Sequence, residues 1–186
     1  MNLDIKNAVE TLTVGGTILY PTDTVWGIGC DATNEEAVTK IFSIKQRNES
    51  KSLIILVDSE QMLRNYTENT SDFVFDFLKN IHEPTTIIYP NAKNLAKNVI
   101  SSDNSVGIRL IKDDFCKKMI QKFGKPIVST SANISGNPTP RIFKEIDTEI
   151  IKNCDYIVKH RQEDTEIRPP SRLVRFDLNG NIEFLR

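Results

Sequence analysis

"LYPTDTVWGIGCDA", residues 19–32, runs from an apolar strand through a proline-opened polar turn into two glycines. Gly27, Gly29 and Ala32 match G-x-G-x-x-A, a loose form of the dinucleotide-binding fingerprint. That fingerprint needs its first glycine at the strand end and its third small residue inside the following helix. Here "PTDTVW" intervenes before Gly27, and the capping-box pair Thr33 and Glu36 starts the next helix after the motif is over. The first acid closing a later strand is Asp58, well past the roughly 20-residue spacing of a ribose ligand. The dinucleotide-binding fold is set aside, and the glycines are expected to supply unusual dihedrals and close packing.

Upstream, Ile5, Ala8, Val9 and Leu12 recur at helical spacing, and Gly15 and Gly16 stop the helix before the strand "TILY" (17–20). Downstream, "AVTKIFSIKQR" is a helix with Ala37, Ile41 and Ile44 inward. "SLIILVD" (52–58) is a continuous apolar run, as in a strand covered on both faces. Residues 59–81 read as helical, with Phe73, Phe77, Leu78 and Ile81 on one side. Strands "TTIIY" (85–89) and "SVGIRL" (105–110) precede an amphipathic helix, "DDFCKKMIQKFG" (113–124). Its Phe115, Met119, Ile120 and Phe123 point inward, and Gly124 closes it. "PIVST" (126–130) is a strand that opens into the polar loop "SANISGNPTP". A helix near 141–152, strands "DYIVK" and "SRLVRF", and an Asn-Gly hairpin signal before "IEFLR" follow. The alternation, without repeat or linker, predicts one α/β domain with a mixed sheet over residues 1–186.

A chain of 186 residues buries roughly 70% of its unfolded surface, enough for an ordinary core. Its net charge of −1 means that affinity for phosphate or nucleic acid has to come from local clusters. Cys30, Cys116 and Cys154 are far apart, which argues for reduced thiols and against a disulfide framework or zinc site. The N-terminus lacks the apolar core of a signal peptide, and no run reaches the ~18 apolar residues of a membrane span. A cytoplasmic protein with no membrane partner is expected.

Three polar clusters carry chemistry. "PTDT" (21–24) places two hydroxyls and a carboxylate at a strand end, where open α/β sheets bind ligands, or is a plain polar turn. Lys45, Arg47 and Lys51 either complement a helix C-terminus or form a clamp for phosphate or carboxylate. Ser129, Thr130, Ser131, Asn133, Ser135 and Thr139 crowd a loop that is either ordinary or a cradle for a nucleotide. No P-loop pattern occurs. His82 and His160 have no ligand spacing and read as structural or surface residues. Arg109, ending an apolar strand, asks for an anionic partner. Arg168, Arg172 and Arg175 form a solvated edge or a basic rim.

These clusters, in this order, resemble the YrdC/Sua5 family of threonylcarbamoyl-adenylate synthases. "LYPTDTVWGIGCDA" is similar to the family's YPTDTVYGLGCDA, "KQRNESKSLIILV" to its K-x-R-P…K-P-L segment, and "VGIRL" to its VGIRLP strand. "PIVSTSANISGNPTP" is nearly its P-[IL]-V-S-T-S-A-N-x-S-G-x-P. The resemblance implies a twisted mixed sheet with flanking helices and a concave, basic active-site surface. It also implies a nucleotidyltransferase that makes L-threonylcarbamoyl-adenylate and pyrophosphate from L-threonine, bicarbonate and ATP, for the t6A modification of tRNA position 37. The family's K-x-R…S-x-N signature falls on Lys45, Arg47, Ser131 and Asn133 as catalytic and ATP-binding residues. Substrate contacts carry over to Thr22, Lys51, Arg109, Ser129 and Ser171, and ATP contacts to Ser105, Thr139 and Arg186. ATP enters as a substrate, and Mg²⁺ is expected to be carried mainly by ATP. The implied partners are tRNA threonylcarbamoyltransferase proteins downstream, and a direct contact with tRNA or double-stranded RNA stays open.

Several positions depart from the family pattern. Asn48 and Ser52 stand where prolines are common, and Trp26 replaces a tyrosine. "HEPTT" (82–86) replaces P-G-P-x-T, which puts Glu83 at a glycine position, and "PSRLVRF" replaces P-S-T-[IV]-V-D. From the short stretches on either side of the module, the stand-alone short YrdC type is expected, rather than the longer Sua5 form or a larger carbamoyltransferase. The alternative to a synthase is an RNA-binding module of the same fold without activity, whose affinity would fall steeply with salt.

Overall fold

Apolar strand runs and amphipathic helices assemble around one sheet in a computed structural model that describes residues 1–48, 53–68, 70–177 and 180–185. The strands are β1 (Ile18–Tyr20), β2 (Gly27–Gly29), β3 (Ile54–Val57), β4 (Thr85–Tyr89), β5 (Val106–Leu110), β6 (Ile127–Ser131), β7 (Tyr156–Ile157), β8 (Arg172–Phe176) and β9 (Ile182–Phe184). Among the described residues they lie in the order β7-β1-β2-β6-β3-β5-β4-β8-β9. β1–β7, β3–β5 and β4–β8 are parallel and the other neighbours antiparallel, so the sheet is mixed as expected.

Successive strand residues enter different cores, because side chains alternate across a sheet. Ile18, Tyr20, Leu56 and Ile127 pack with α1 (Asn2–Thr13) and α5 (Asp114–Phe123). Leu19, Ile28, Ile55, Val57 and Val128 join the other core. That core is covered by α2 (Glu35–Ile44), α3 (Glu60–Tyr66), α4 (Asp72–Asn80) and α6 (Thr148–Asn153). Helices on both faces explain why β1 and β3 read as unbroken apolar runs.

Local chemistry moved several boundaries. Asn34, not Thr33, caps α2, accepting from the Ala37 amide, while Thr33 turns its hydroxyl to Asp31 Oδ1 at 2.7 Å. Residues 59–81 form two helices, because Thr67 leaves the helix to bridge Ala92 and Ser71 opens a new one. The break resets the helical frame, so Val74, Phe75 and Leu78 are buried and Phe73 is exposed. The expected helix near 141–152 is a short 3₁₀ turn (Phe143–Glu145) followed by α6, which the Asp147 carboxylate caps at the Glu149 amide. The tip of the C-terminal hairpin, residues 178 and 179, lies outside the described residues, but β8 and β9 pair as expected.

Gly27 and Gly29 sit inside β2, paired with β1 and β6, and neither takes a positive φ. Close packing is what requires them; the expectation of unusual dihedrals does not hold. A Cβ on Gly29 would lie 2.5 Å from the Val128 carbonyl oxygen and 2.8 Å from the Tyr20 ring. Gly29→Ala should therefore cost about 1–3 kcal/mol through overpacking. In urea unfolding, a midpoint that does not fall would show that the strands can give way.

Candidate active site

The sheet face that carries Tyr20, Leu56 and Ile127 continues past α1 and α5 with small or polar residues. Register places Gly27 beside Ser131, Ser129 beside Ile54, and Leu56 beside Arg109. Alternation puts Gly27, Ile54, Ser129, Ser131 and Arg109 on this one face. They floor a cavity of about 210 Å³. Thr24, Val25 and Trp26, then Arg47 and Leu53, and Thr130, Thr139, Pro170 and Ser171 complete its lining. Its lining holds two arginines and a ring of hydroxyls, and none of the described lining residues carries a carboxylate.

The turn after β1 is built by its own threonines. Thr22 Oγ1 donates to the Val25 carbonyl at 2.8 Å and accepts from the Thr24 amide at 3.0 Å. The two hydroxyls lie 2.9 Å apart, and Thr24 Oγ1 accepts from Arg109 Nη1 at 3.1 Å. Thr22 is thus a buried turn-former outside the cavity, whereas Thr24 reaches it. From the other side, Arg161 donates to the Thr22 carbonyl and pairs at 2.6 Å with Asp113, the N-cap of α5. Arg161 does this from a left-handed backbone (φ +64°), a conformation that costs energy for arginine and persists where packing over-determines it. The anionic partner that Arg109 demanded is Asp23, whose Oδ1 lies 3.2 Å from Nη2.

Lys45 departs from the expected clamp. Its helix ends at Ile44, and its side chain runs inward to 1% exposure. The ammonium donates to the carbonyls of Ser131 and, at 2.7 Å, Asn133. In return, the Lys45 carbonyl accepts the Ser135 amide at 2.8 Å. Ser131 Oγ donates to Asn133 Oδ1, and Asn133 Nδ2 donates to the Asn137 carbonyl at 2.7 Å. Lysine, serine and asparagine therefore brace one loop, and Lys45 and Asn133 do not line the cavity. Burial, aided by the nearby Arg47 charge, lowers the Lys45 pKa to about 8. Arg47 lines the cavity, and burial lowers its pKa too.

Of the remaining expected residues, Ser129, Ser131, Thr139 and Ser171 line the cavity with Arg47 and Arg109. Ser171 is held by the Thr86 hydroxyl at 2.9 Å. Ser105 is not brought to it: its hydroxyl donates to Asp103 Oδ1 at 2.6 Å, at the opposite end of β5 from Arg109. Lys51 and Arg186 lie outside the described residues. Asp23, Thr24 and Thr130 were read from sequence only as members of polar clusters, without a role, and Pro170 and the apolar floor residue Ile54 were not singled out.

Among the described residues no three His, Cys, Asp or Glu gather as a metal site, and the cysteines are buried and free. His160 stacks on Phe115, with ring centroids 5.2 Å apart. No described helix is long and apolar enough to cross a membrane. Two departures from the family pattern meet: Glu83 and Arg172 pair at 3.0 Å across adjoining strand ends, half-exposed, where such a pair is worth about 0–1 kcal/mol. Arg168 pairs with Asp164, so the arginine-rich edge carries its own acids.

Lys45→Met should keep the fold but leave two buried carbonyls without their donor. Losing a charged hydrogen bond predicts about tenfold or greater loss of amide-exchange protection over residues 131–137. Unchanged protection would remove the bracing role. The pH dependence has a definite sign, since the folded pKa of about 8 lies below the ordinary 10.5. Between these values the unfolded chain binds more protons, so this group makes stability rise with pH. Wild type minus Lys45→Met should show that rise in denaturant midpoints.

The Sua5/YciO/YrdC family model, described as telomere recombination, matches residues 10–186. The chain is 34% identical over 157 residues to the threonylcarbamoyl-AMP synthase of Pseudoalteromonas translucida, covering 83% of this chain and 84% of that protein. P. abyssi Sua5 complexed with L-threonine superposes with a TM-score of 0.85 at 24% identity, over 98% of this chain. This chain spans 53% of that longer one. E. coli YciO gives a TM-score of 0.83 at 21% identity, covering 100% of this chain and 89% of the other. These two likenesses establish the α/β fold, and the family model together with the sequence identity shows that the chain belongs to the Sua5/YciO/YrdC family.

Proposed function

We propose that the chain is an L-threonylcarbamoyladenylate synthase, which makes threonylcarbamoyl-AMP and pyrophosphate from L-threonine, bicarbonate and ATP for the t6A modification of tRNA. One observation carries the reading: a cavity lined by Arg47, Arg109 and a ring of hydroxyls, with no carboxylate among its described lining residues. It belongs to a chain 34% identical to a protein named threonylcarbamoyl-AMP synthase. That name favours the synthase over an RNA-binding module without activity.

The chemistry sets what the site has to do. The threonine amine attacks bicarbonate carbon and, with loss of water, gives a carbamate. A carbamate oxygen then forms a bond to the α-phosphorus of ATP as the α–β phosphoanhydride bond breaks and pyrophosphate leaves. Both reactants are anions, so catalysis needs charge neutralisation and in-line positioning. Arg47 and Arg109 supply the positive charge, and Ser129, Ser131, Thr139 and Ser171 supply short-reach donors to phosphate and substrate oxygens. Lys45 and Asn133 act one step back, holding the loop that presents Ser131. No described lining residue offers a carboxylate to a metal and Asp23 is already paired with Arg109, so any Mg²⁺ would be held mainly by the phosphates of ATP. The adenylate passes to tRNA threonylcarbamoyltransferase proteins in the cytoplasm.

The test is pyrophosphate release from ATP and Mg²⁺ with bicarbonate and L-threonine each supplied or omitted. Release should need both, and Arg47→Ala should cut it on the order of 10²-fold, by analogy with losing an oxyanion donor. A folded, ATP-binding chain that releases no pyrophosphate in response to threonine would end the synthase reading.

A further inference from the structure

Asp23 does not line the cavity, yet it stands directly behind a residue that does. Arg109 is 3% exposed, with Nη2 held by Asp23 and Nη1 donating to Thr24 Oγ1 at 3.1 Å. Its Nε is buried without a hydrogen-bond partner among the described residues, and so is Asp23 Oδ1. The 3.2 Å contact between them is therefore an attraction of charges not closed by a directional hydrogen bond. Two buried polar atoms without a partner in one ion pair call for an explanation, and a ligand carboxylate accepting from the Arg109 Nε would supply it for the donor. Burial pushes the Asp23 carboxyl up against the pull of Arg109, as expected for a carboxylate held inside by one imperfect partner.

A planar guanidinium suits a carboxylate, provided that its rotation is fixed before the ligand arrives. Here the fork is tied at both terminal nitrogens by the same three-residue turn, Asp23 and Thr24, which the Thr22 hydroxyl shapes and Arg161 braces. We propose that Asp23 is a positioning residue, which orients Arg109 so that its remaining donors take the carboxylate of the amino-acid substrate. Asp23 acts through Arg109, and the inference rests on the synthase reading for the identity of that substrate.

Trp26, the single tryptophan of the chain, lines the cavity, so its fluorescence can report occupancy without turnover. L-Threonine and ATP are titrated separately into wild type, Asp23→Asn, Arg109→Gln and the double variant, with melting curves alongside. Asp23→Asn should weaken L-threonine binding about tenfold or more and move ATP affinity about twofold or less, and the double variant should bind threonine no more weakly than Arg109→Gln. Near-wild-type threonine affinity in Asp23→Asn, or additive losses in the double variant, would overturn the role. Should Asp23→Asn alone fail to fold, the comparison of Arg109→Gln with the double variant, in which both charges of the pair are neutral, decides the question. Wild-type protein that binds ATP but neither binds threonine nor releases pyrophosphate would instead remove the synthase reading, and this role with it.

Discussion

The close approach of β1, β2 and β6 around Gly29 sets the geometry on which the site stands. Tyr20 lies flat enough against β2 that a methyl group there would sit 2.8 Å from its ring. That contact fixes the register that puts Gly27 opposite Ser131, and so brings the "PTDT" turn and the "STSAN" loop to neighbouring walls of one cavity. Because interiors are packed like crystals, a few tenths of an ångström at Gly29 would be transmitted to both walls.

On that frame the protein buries two cations in different ways. Lys45 donates to oxygens of the loop it braces, although burial lowers its pKa. Arg109 takes a counter-ion from the turn. Buried charges are tolerated where they are paired and hydrogen-bonded, and costly where they are not. Lys45 meets that condition by itself, whereas the Arg109–Asp23 pair meets it incompletely. The contrast separates a residue that shapes the cavity from one that faces into it.

The exposed departures from the family pattern have a simpler account. Glu83 and Arg172 are each unusual alone, but parallel pairing of β4 with β8 sets them side by side. Trp26 fills its larger volume by packing on Phe143, with centroids 4.9 Å apart. These changes leave the floor of the cavity as glycine, serine, isoleucine and Arg109.

The fold class was legible in the chain, because its physical basis is local: alternating apolar periods, Gly124 in a left-handed cap, and an unbroken run in β3 that demands cover on both faces. The polar segments "PTDT", "KQR" and "STSAN" were legible as a set for the same reason. What each side chain does there was not. Thr22 and Thr24 are identical residues two apart, yet one closes a turn and the other reaches the cavity. Lys45 and Arg47 are cations two apart, yet one turns inward to backbone carbonyls and the other lines the site. Ser105 just precedes β5, whereas Arg109 lies near that strand's far end. Composition and periodicity determine which elements form and which faces are apolar. The direction of a polar side chain and the partner that satisfies it depend on residues far away in sequence, such as Asp23 for Arg109 and Ser131 for Lys45, so only the tertiary structure decides them.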